Sequence, residues 1–157
     1  MNLIRATFPN YKMEVLTKIL KLIEGKDYQI INHEEVTTSA ESAKAREKYL
    51  GENAINMGAK AILFSCRKLI VSRASDKLNN KNVRKFGSFE KDLEGVTGCK
   101  KGSMPPFGSL FGFETYLDEK FLKNEIMAFN CGLLDTSIIM KVKDYIEIEK
   151  PTIGKYT

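Results

Sequence analysis

One histidine, three cysteines and a lysine set inside an apolar run are the residues through which covalent or acid–base chemistry could pass in this sequence. A Ser-His-Asp or Cys-His arrangement needs an imidazole within hydrogen-bond reach of the nucleophile. His33 is the sole histidine, and in Asn32-His33-Glu34 it reads as a turn or edge residue just beyond a strand. Cys99 stands beside Lys100 and Lys101, cations able to lower a thiol pKa. A thiol nucleophile and a small loop residue are both open there. Cys66, Cys99 and Cys131 are odd in number, widely spaced and without a Cys-x-x-Cys pair. They suit a reducing compartment better than a disulfide framework, and with one histidine they do not make a four-ligand zinc site. Phosphate-binding Gly-x-x-x-x-Gly-Lys-Ser/Thr, dinucleotide-binding Gly-x-Gly-x-x-Gly and Asp-x-Asp-x-Asp patterns are absent.

Two features remain. Lys60 lies within Gly58-Ala-Lys-Ala-Ile-Leu-Phe64, where strand alternation puts Lys60, Ile62 and Phe64 on one face and Ala59, Ala61 and Leu63 on the other. A lysine sharing a face with Ile and Phe must snorkel to water or meet an anion, because burying an unpaired ammonium is expensive. The second is residues 94–108, a loop with four glycines, Lys100, Lys101 and the pair Pro105-Pro106. Glycine lets another molecule approach the main chain closely, and each proline fixes φ. The loop is expected to form a wall of the active site. Arg67, Lys68, Arg73, Lys77, Lys81, Arg84 and Lys85 cluster against Asp76 alone, and Lys100 and Lys101 add to the same third of the chain. Such a run is either a solvated face or a surface that follows a phosphate backbone.

The elements that must position these residues follow from periodicity and turn chemistry. Apolar spacing predicts a helix over residues 11–24, within an N-terminal helical stretch 1–26 stopped by Gly25. A short strand is expected over 27–32, and Thr38-x-x-Glu41 is a capping box for a helix over 39–50. Residues 59–65 and 68–72 read as a hairpin joined by Cys66-Arg67. Residues 79–86 read as a basic helix, and Ser88 is expected to cap another over 89–93. Strands are predicted over 114–117, 125–129 and 136–142, with a helical turn over 118–121. Residues 143–148 fit a strand or a last helical turn, and 149–157, with Pro151 and Gly154, look like a loose tail.

The chain has 157 residues, 43% hydrophobic and 29% charged, which fits one folded domain and excludes a disordered chain. No apolar run approaches the ~20 residues that span a bilayer, and the N-terminus lacks a signal-peptide centre, so the cytoplasm is the expected address. A net charge of +5 suits a polyanionic partner. Helices mixed irregularly with hairpins predict a single α+β domain, with a mixed, mostly antiparallel, barrel-like sheet.

Gly58-Ala-Lys-Ala-Ile-Leu-Phe64, Leu93-Glu-Gly-Val-Thr-Gly98, Gly102-Ser-Met-Pro-Pro-Phe-Gly108 and Asn130-Cys-Gly-Leu-Leu-Asp-Thr-Ser-Ile138 occur in this order. With the capped helix at Thr38, they resemble the YbaK/prolyl-tRNA-synthetase-associated editing family, from about Tyr28 to Ile148. The resemblance implies a trans-editing deacylase that hydrolyses mischarged tRNA, with Cys-tRNA(Pro) and Ala-tRNA(Pro) the expected substrates. A tRNA- or synthetase-binding module that has kept the fold without catalysis is the alternative. Prolyl-tRNA synthetase enters as a possible partner, and no cofactor or metal is implied. By the same resemblance Lys60 is the catalytic residue, engaging the aminoacyl-tRNA terminus. Gly102, Ser103, Met104, Pro105 and Pro106 flank the scissile ester, while Asn130, Gly132 and Asp135 line the far side. Cys131 departs from the small residue expected there and bears on pocket width. Arg73, Lys81, Arg84, Lys85, Lys100 and Lys101 are the expected tRNA contacts. An aminoacyl ester is already activated, so a positioned water and backbone N–H groups for the oxyanion suffice in principle. One such donor is worth about 3 kcal/mol in other enzymes.

Overall fold

The computed structural model describes residues 10–157, with side chains from Glu14 onward. The first nine residues of the expected N-terminal helical stretch lie outside the described residues. Helix α1 (Asn10–Leu22) turns Leu16 and Ile19 fully into the core, joined by Ile23 just beyond its end. Each such side chain contributes roughly 1.5–3 kcal/mol on burial. Strand β1 (Tyr28–Asn32) follows, then helix α2 (Ser39–Leu50). Its start is fixed reciprocally: Thr38 Oγ1 accepts from the Glu41 N–H at 3.2 Å, and Glu41 Oε1 accepts from the Thr38 N–H at 3.2 Å. A short helix α3 (Ala54–Met57) leads into the hairpin of β2 (Ala59–Phe64) and β3 (Lys68–Arg73).

The hairpin turn differs from the two-residue connection expected. Phe64 pairs with Lys68, so Ser65, Cys66 and Arg67 form a three-residue loop, with Arg67 left-handed at φ 67°. That conformation is uncommon for a residue with a Cβ, and here Arg67 is held over the Phe113 ring and against Glu90. The basic segment forms helix α4 (Asn80–Val83), capped by Asn79 and continued by a 3-10 turn, Arg84–Phe86. Ser88 caps nothing. Phe89 instead bridges Phe64, their rings 5.0 Å apart, and this extended stretch runs along β2. Helix α5 (Leu93–Thr97) begins one turn later, where Asp92 Oδ1 accepts from the Gly95 N–H.

A 3-10 turn (Gly108–Phe111), β4 (Glu114–Asp118), a second 3-10 turn (Glu119–Lys123), β5 (Ile126–Asn130) and β6 (Thr136–Lys141) follow. Residues 142–149 resolve the strand-or-helix choice as helix α6 (Val142–Glu149). The segment read as a loose tail is instead built in. Strand β7 (Thr152–Gly154) pairs in parallel with β4, and Tyr156 is buried.

The α+β class stands, but the sheets do not close into a barrel. One is antiparallel, ordered β1-β6-β5; the other is mixed, ordered β2-β3-β4-β7. They touch at an isolated bridge between Gly58 and Ala128. The main core gathers Leu63, Leu69, Val71, Phe107, Leu117, Phe129, Ile138 and Tyr145 with the buried face of α1. A smaller cluster of Phe64, Ile70, Val83, Phe86 and Tyr156 lies on the other face of the mixed sheet. Strand alternation across β2 is as read: Ala59, Ala61 and Leu63 turn to the main core, Ile62 and Phe64 to the smaller cluster. No helix among the described residues is long and apolar enough to cross a membrane.

Candidate active site

A cleft of about 550 Å³ opens where the start of α2, the edge of β2 and the glycine loop converge. β2 is the outer strand of its sheet, and register decides what it shows there. Ala74 donates to the Gly58 carbonyl, so the backbone groups of Lys60, Ile62 and Phe64 turn toward β3 and those of Ala59, Ala61 and Leu63 turn outward. The Glu90 N–H takes the Leu63 carbonyl at 2.9 Å, which leaves the Ala61 backbone pair on the open edge. Residues 90–94, with Glu90, Asp92 and Glu94, form the acidic side of the mouth.

The loop opposite is fastened at successive points. Asn130 Nδ2 donates to the Gly102 carbonyl at 2.6 Å, and the Gly132 N–H to the Ser103 carbonyl at 2.9 Å. The buried Tyr145 hydroxyl donates to the Pro106 carbonyl, and the Gly108 N–H to Thr115 Oγ1 at 3.0 Å. Gly102 itself has φ +92°, and a Cβ there would stand 2.7 Å from the Thr37 carbonyl oxygen. Only glycine allows the loop to close against the approach to α2. Gly102 and Met104 line the cleft, and no described residue accepts their N–H groups.

Lys60 also lines the cleft, half-buried, its ammonium donating to the Asp76 carbonyl. Burial pulls its pKa below the usual lysine value, Asp76 opposes that, and Lys77 adds to the lowering. Asp76 is in turn ion-paired to Arg73 at 2.8 Å, which commits Arg73 to holding this corner. Lys101 is exposed at the cleft and Lys100 next to it is exposed. Lys81, Arg84 and Lys85 are all exposed on and after α4, away from the cleft lining.

The structure thus brings Lys60, Lys101, Gly102, Met104 and Asn130 to one cleft. Ser103, Pro105 and Pro106 are buried behind the wall they support. Gly132 packs against Val15 of α1, and Asp135 receives the His33 N–H on its carbonyl; neither lines the cleft. Cys131 is fully buried and bonded to the Thr136 carbonyl, with burial pushing its thiol up to about 12. Cys99 is 1% exposed, and burial raises its thiol too, against the opposing hydrogen bond with Thr97. A thiolate nucleophile therefore has no support at Cys99.

What the sequence reading missed is Arg46. It is 3% exposed and lines the cleft from the third turn of α2, on one stripe with Ser39 and Ser42. Its Nε donates to Ser137 Oγ at 3.1 Å, Nη1 to the Ala128 carbonyl at 3.4 Å and Nη2 to Asn130 Oδ1 at 3.1 Å. Ser137 Oγ also lies 3.1 Å from Asn130 Oδ1, and His33 Nε2 lies 2.8 Å from that hydroxyl. His33 thus ends a polar network that holds the loop and does not itself line the cleft. No described carboxylate lies within ion-pair distance of Arg46, and burial lowers its pKa to about 10, so it stays cationic near neutrality. The available signal was a helix that buries Ser42, Ala43, Ala45 and Arg46 and no large apolar side chain.

A fastened backbone wall, a cationic floor and, among the described residues, no nucleophile–base pair at the cleft fit a hydrolase that activates water on an already reactive ester. Comparison gives that class its name: residues 33–148 match the aminoacyl-tRNA editing domain, and the chain belongs to that family. It is an aminoacyl-tRNA deacylase, a hydrolase whose substrate is charged tRNA. Among particular relatives, the multifunctional Ser/Thr-tRNA deacylase ProXp-y of Escherichia coli K12 is 28% identical over 145 residues. That alignment covers 85% of this chain and 86% of the relative. The protein of the same description from Escherichia coli O157:H7 matches equally. A crystal structure of a candidate trans-editing enzyme for prolyl-tRNA synthetase shares the fold at TM-score 0.74 and 16% identity, over 96% of this chain and 99% of that one.

Proposed function

We propose that this chain acts in trans on tRNA charged with a small wrong amino acid, holding the aminoacyl-adenosine end in the cleft beside Lys60. The observation that carries this reading is the fastened Gly102–Met104 wall, two of whose N–H groups no described residue accepts, lining one cleft with Lys60 and the edge of β2. A water attacks the ester carbonyl carbon. The carbonyl electron pair moves onto oxygen, and on collapse the C–O bond to the ribose breaks, the ribose oxygen taking a proton that the water gave up. Loop N–H groups stabilise the intermediate charge. Lys60 orients the terminal nucleotide, and orientation alone is a substantial part of such a barrier. The acidic mouth at Glu90, Asp92 and Glu94 suits the α-ammonium of the aminoacyl group.

Thr37, Thr38, Ser39 and Ser42 give the cleft a hydroxyl-lined side, which favours seryl and threonyl esters. The ProXp-y relatives, described as Ser/Thr-tRNA deacylases, support the same choice. Cysteinyl and alanyl esters of tRNA(Pro), expected from the sequence, are the competing substrates. Because one methylene is worth only ~1–3 kcal/mol in such a pocket, some cross-reactivity is part of the reading. The reaction belongs in the cytoplasm, where tRNA is charged, and prolyl-tRNA synthetase is the partner to test by co-purification. The deciding experiment is a deacylation panel of Ser-, Thr-, Ala-, Cys- and Pro-tRNA with wild type and Lys60→Ala. Turnover of hydroxyl amino acids, lost in the variant, is expected. Salt-sensitive tRNA binding with no turnover of any ester would leave a binding module instead.

A further inference from the structure

We propose that the Arg46 guanidinium meets the carbonyl oxygen of the scissile ester as it becomes an oxyanion. This assignment rests on the deacylase reading of the same cleft.

Three of the five guanidinium N–H groups are spent on Ser137 Oγ, the Ala128 carbonyl and Asn130 Oδ1. Nη1 and Nη2 therefore keep one N–H each. All three acceptors are neutral, so a full positive charge sits at 3% exposure without a described counter-ion. An arrangement of this kind is costly unless something bound there carries negative charge. The side chain cannot swing to find such a partner, because Nε and Nη2 are tied to two different strands, β6 and β5. Gly58 closes it from the side, since a Cβ there would lie 3.2 Å from Nη1. The donor is thus already in place before any charge develops, which is the condition for electrostatic catalysis.

Depth separates the ester oxygen from a phosphate as the partner. A phosphodiester stays charged and hydrated and belongs at the mouth, where Lys101 is exposed. Lys60 spends one of its three N–H donors on the Asp76 carbonyl and is only half-buried, which leaves it for the terminal nucleotide. Arg46 is the cleft cation that is both buried and held by neutral groups, which matches a charge that exists only during the reaction. When water bonds to the carbonyl carbon, the electron pair displaced stays on the oxygen, which accepts hydrogen bonds from the free Arg46 N–H groups beside those of the loop. The pair returns to re-form the carbonyl as the ribose oxygen leaves with the proton.

Two analogues separate this role from a structural one. The first is an anionic, tetrahedral α-aminoalkylphosphonate ester of adenosine; the second is 3′-serylamino-3′-deoxyadenosine, planar and uncharged at the reacting centre. Wild type is expected to bind the phosphonate at least ~10²-fold more tightly than the amide. Arg46→Gln should abolish that preference, leave amide affinity within a few-fold, and lower kcat by about 10²–10³-fold with KM nearly unchanged. Arg46→Lys, which keeps the charge but not the fork of N–H groups, should fall between. Equal loss of both analogues in Arg46→Gln, or an unaltered kcat, overturns the assignment. Should Arg46→Gln fail to fold, the wild-type preference and the Arg46→Lys values decide, and a wild type that binds both analogues alike also overturns it. A wild type that keeps the preference yet turns over no aminoacyl-tRNA in the panel supports the anion contact and removes the deacylase reading.

Discussion

Lys60 carries two consequences of one placement. Its ammonium is half-buried on the Asp76 carbonyl, and burial depresses its pKa. The folded state therefore binds fewer protons than the unfolded chain between the depressed value and the ordinary lysine value of 10.5, and stability rises with pH through that window. Below it the charged amine is a standing cost. Lys60→Met is accordingly expected to lose about 10²-fold or more in deacylation while its Tm holds or increases, with both measured on the same preparation. The pH–rate profile, corrected for spontaneous ester hydrolysis, should turn down at lower pH than a solvated lysine would allow. The cysteines make a contrasting case, since Cys99 and Cys131 are buried with raised pKa values and Cys66 is exposed. Iodoacetamide near neutral pH should label one thiol by mass spectrometry and leave activity intact; activity that falls with labelling would reopen thiol chemistry. Lys60 was readable because a charge inside an apolar alternation is conspicuous. Arg46 was not, because Ser39-x-x-Ser42-x-x-x-Arg46 looks the same whether its stripe faces water or, as here, the backs of β5 and β6.

Two elements, the start of α2 and the glycine loop, meet at Gly102 and Thr37, and substitutions there should report on different parts of the machinery. Gly102→Ala forces a Cβ into φ +92° and to 2.7 Å from the Thr37 carbonyl, so the loop must shift away. A cost of about 1–3 kcal/mol is expected from the backbone strain, and with it a fall in kcat, because the same shift strains the Asn130 bond to the Gly102 carbonyl. Thr38→Ala removes the acceptor of the Glu41 N–H and should cost about 1 kcal/mol. Urea unfolding of the two proteins beside their kcat values tests the distinction: Gly102→Ala must lose more activity per unit of stability than Thr38→Ala. The capping box was legible because both partners lie within four residues. The start of α5 was not, because Ser88 and Asp92 are both able caps. The choice fell to Phe89, which docks on Phe64 of β2, far earlier in the chain. The hairpin turn was misread for a like reason: Arg67 adopts a left-handed conformation that Phe113 and Glu90 support from outside the hairpin.

At the scale of the whole molecule, the C-terminal segment ties the mixed sheet to the basic surface. Pro151 and Gly154 made it look loose, but its order comes from non-local partners. Asp118, fully buried, accepts at Oδ2 from the Tyr156 N–H at 2.9 Å, the Thr157 N–H at 2.9 Å and Thr157 Oγ1 at 3.1 Å. Tyr156 in turn accepts the Asn79 N–H on its carbonyl at 2.8 Å, and its ring lies 6.0 Å from Phe86 and under Lys85. Helix α4 and the 3-10 turn after it, which bear Lys81, Arg84 and Lys85, are therefore seated on the tail. If these three cations follow the phosphates of bound tRNA, the triple Ala variant should bind uncharged tRNA more weakly. Its slope of log affinity against log salt should shrink by about 0.7–0.9 per phosphate contact removed, with Tm little changed. Asp118→Ala should behave differently. Hydrogen bonds to a charged acceptor contribute about 1.5–3 kcal/mol each and overlap where they share one carboxylate, so a loss near 3 kcal/mol is expected in urea unfolding. At temperatures where that variant remains folded it keeps every surface cation, so its salt slope should stay close to wild type while affinity falls through misplacement of the helix. A triple variant whose slope matches wild type would move the RNA path to another face, with Lys100 and Lys101 beside the cleft next to be substituted.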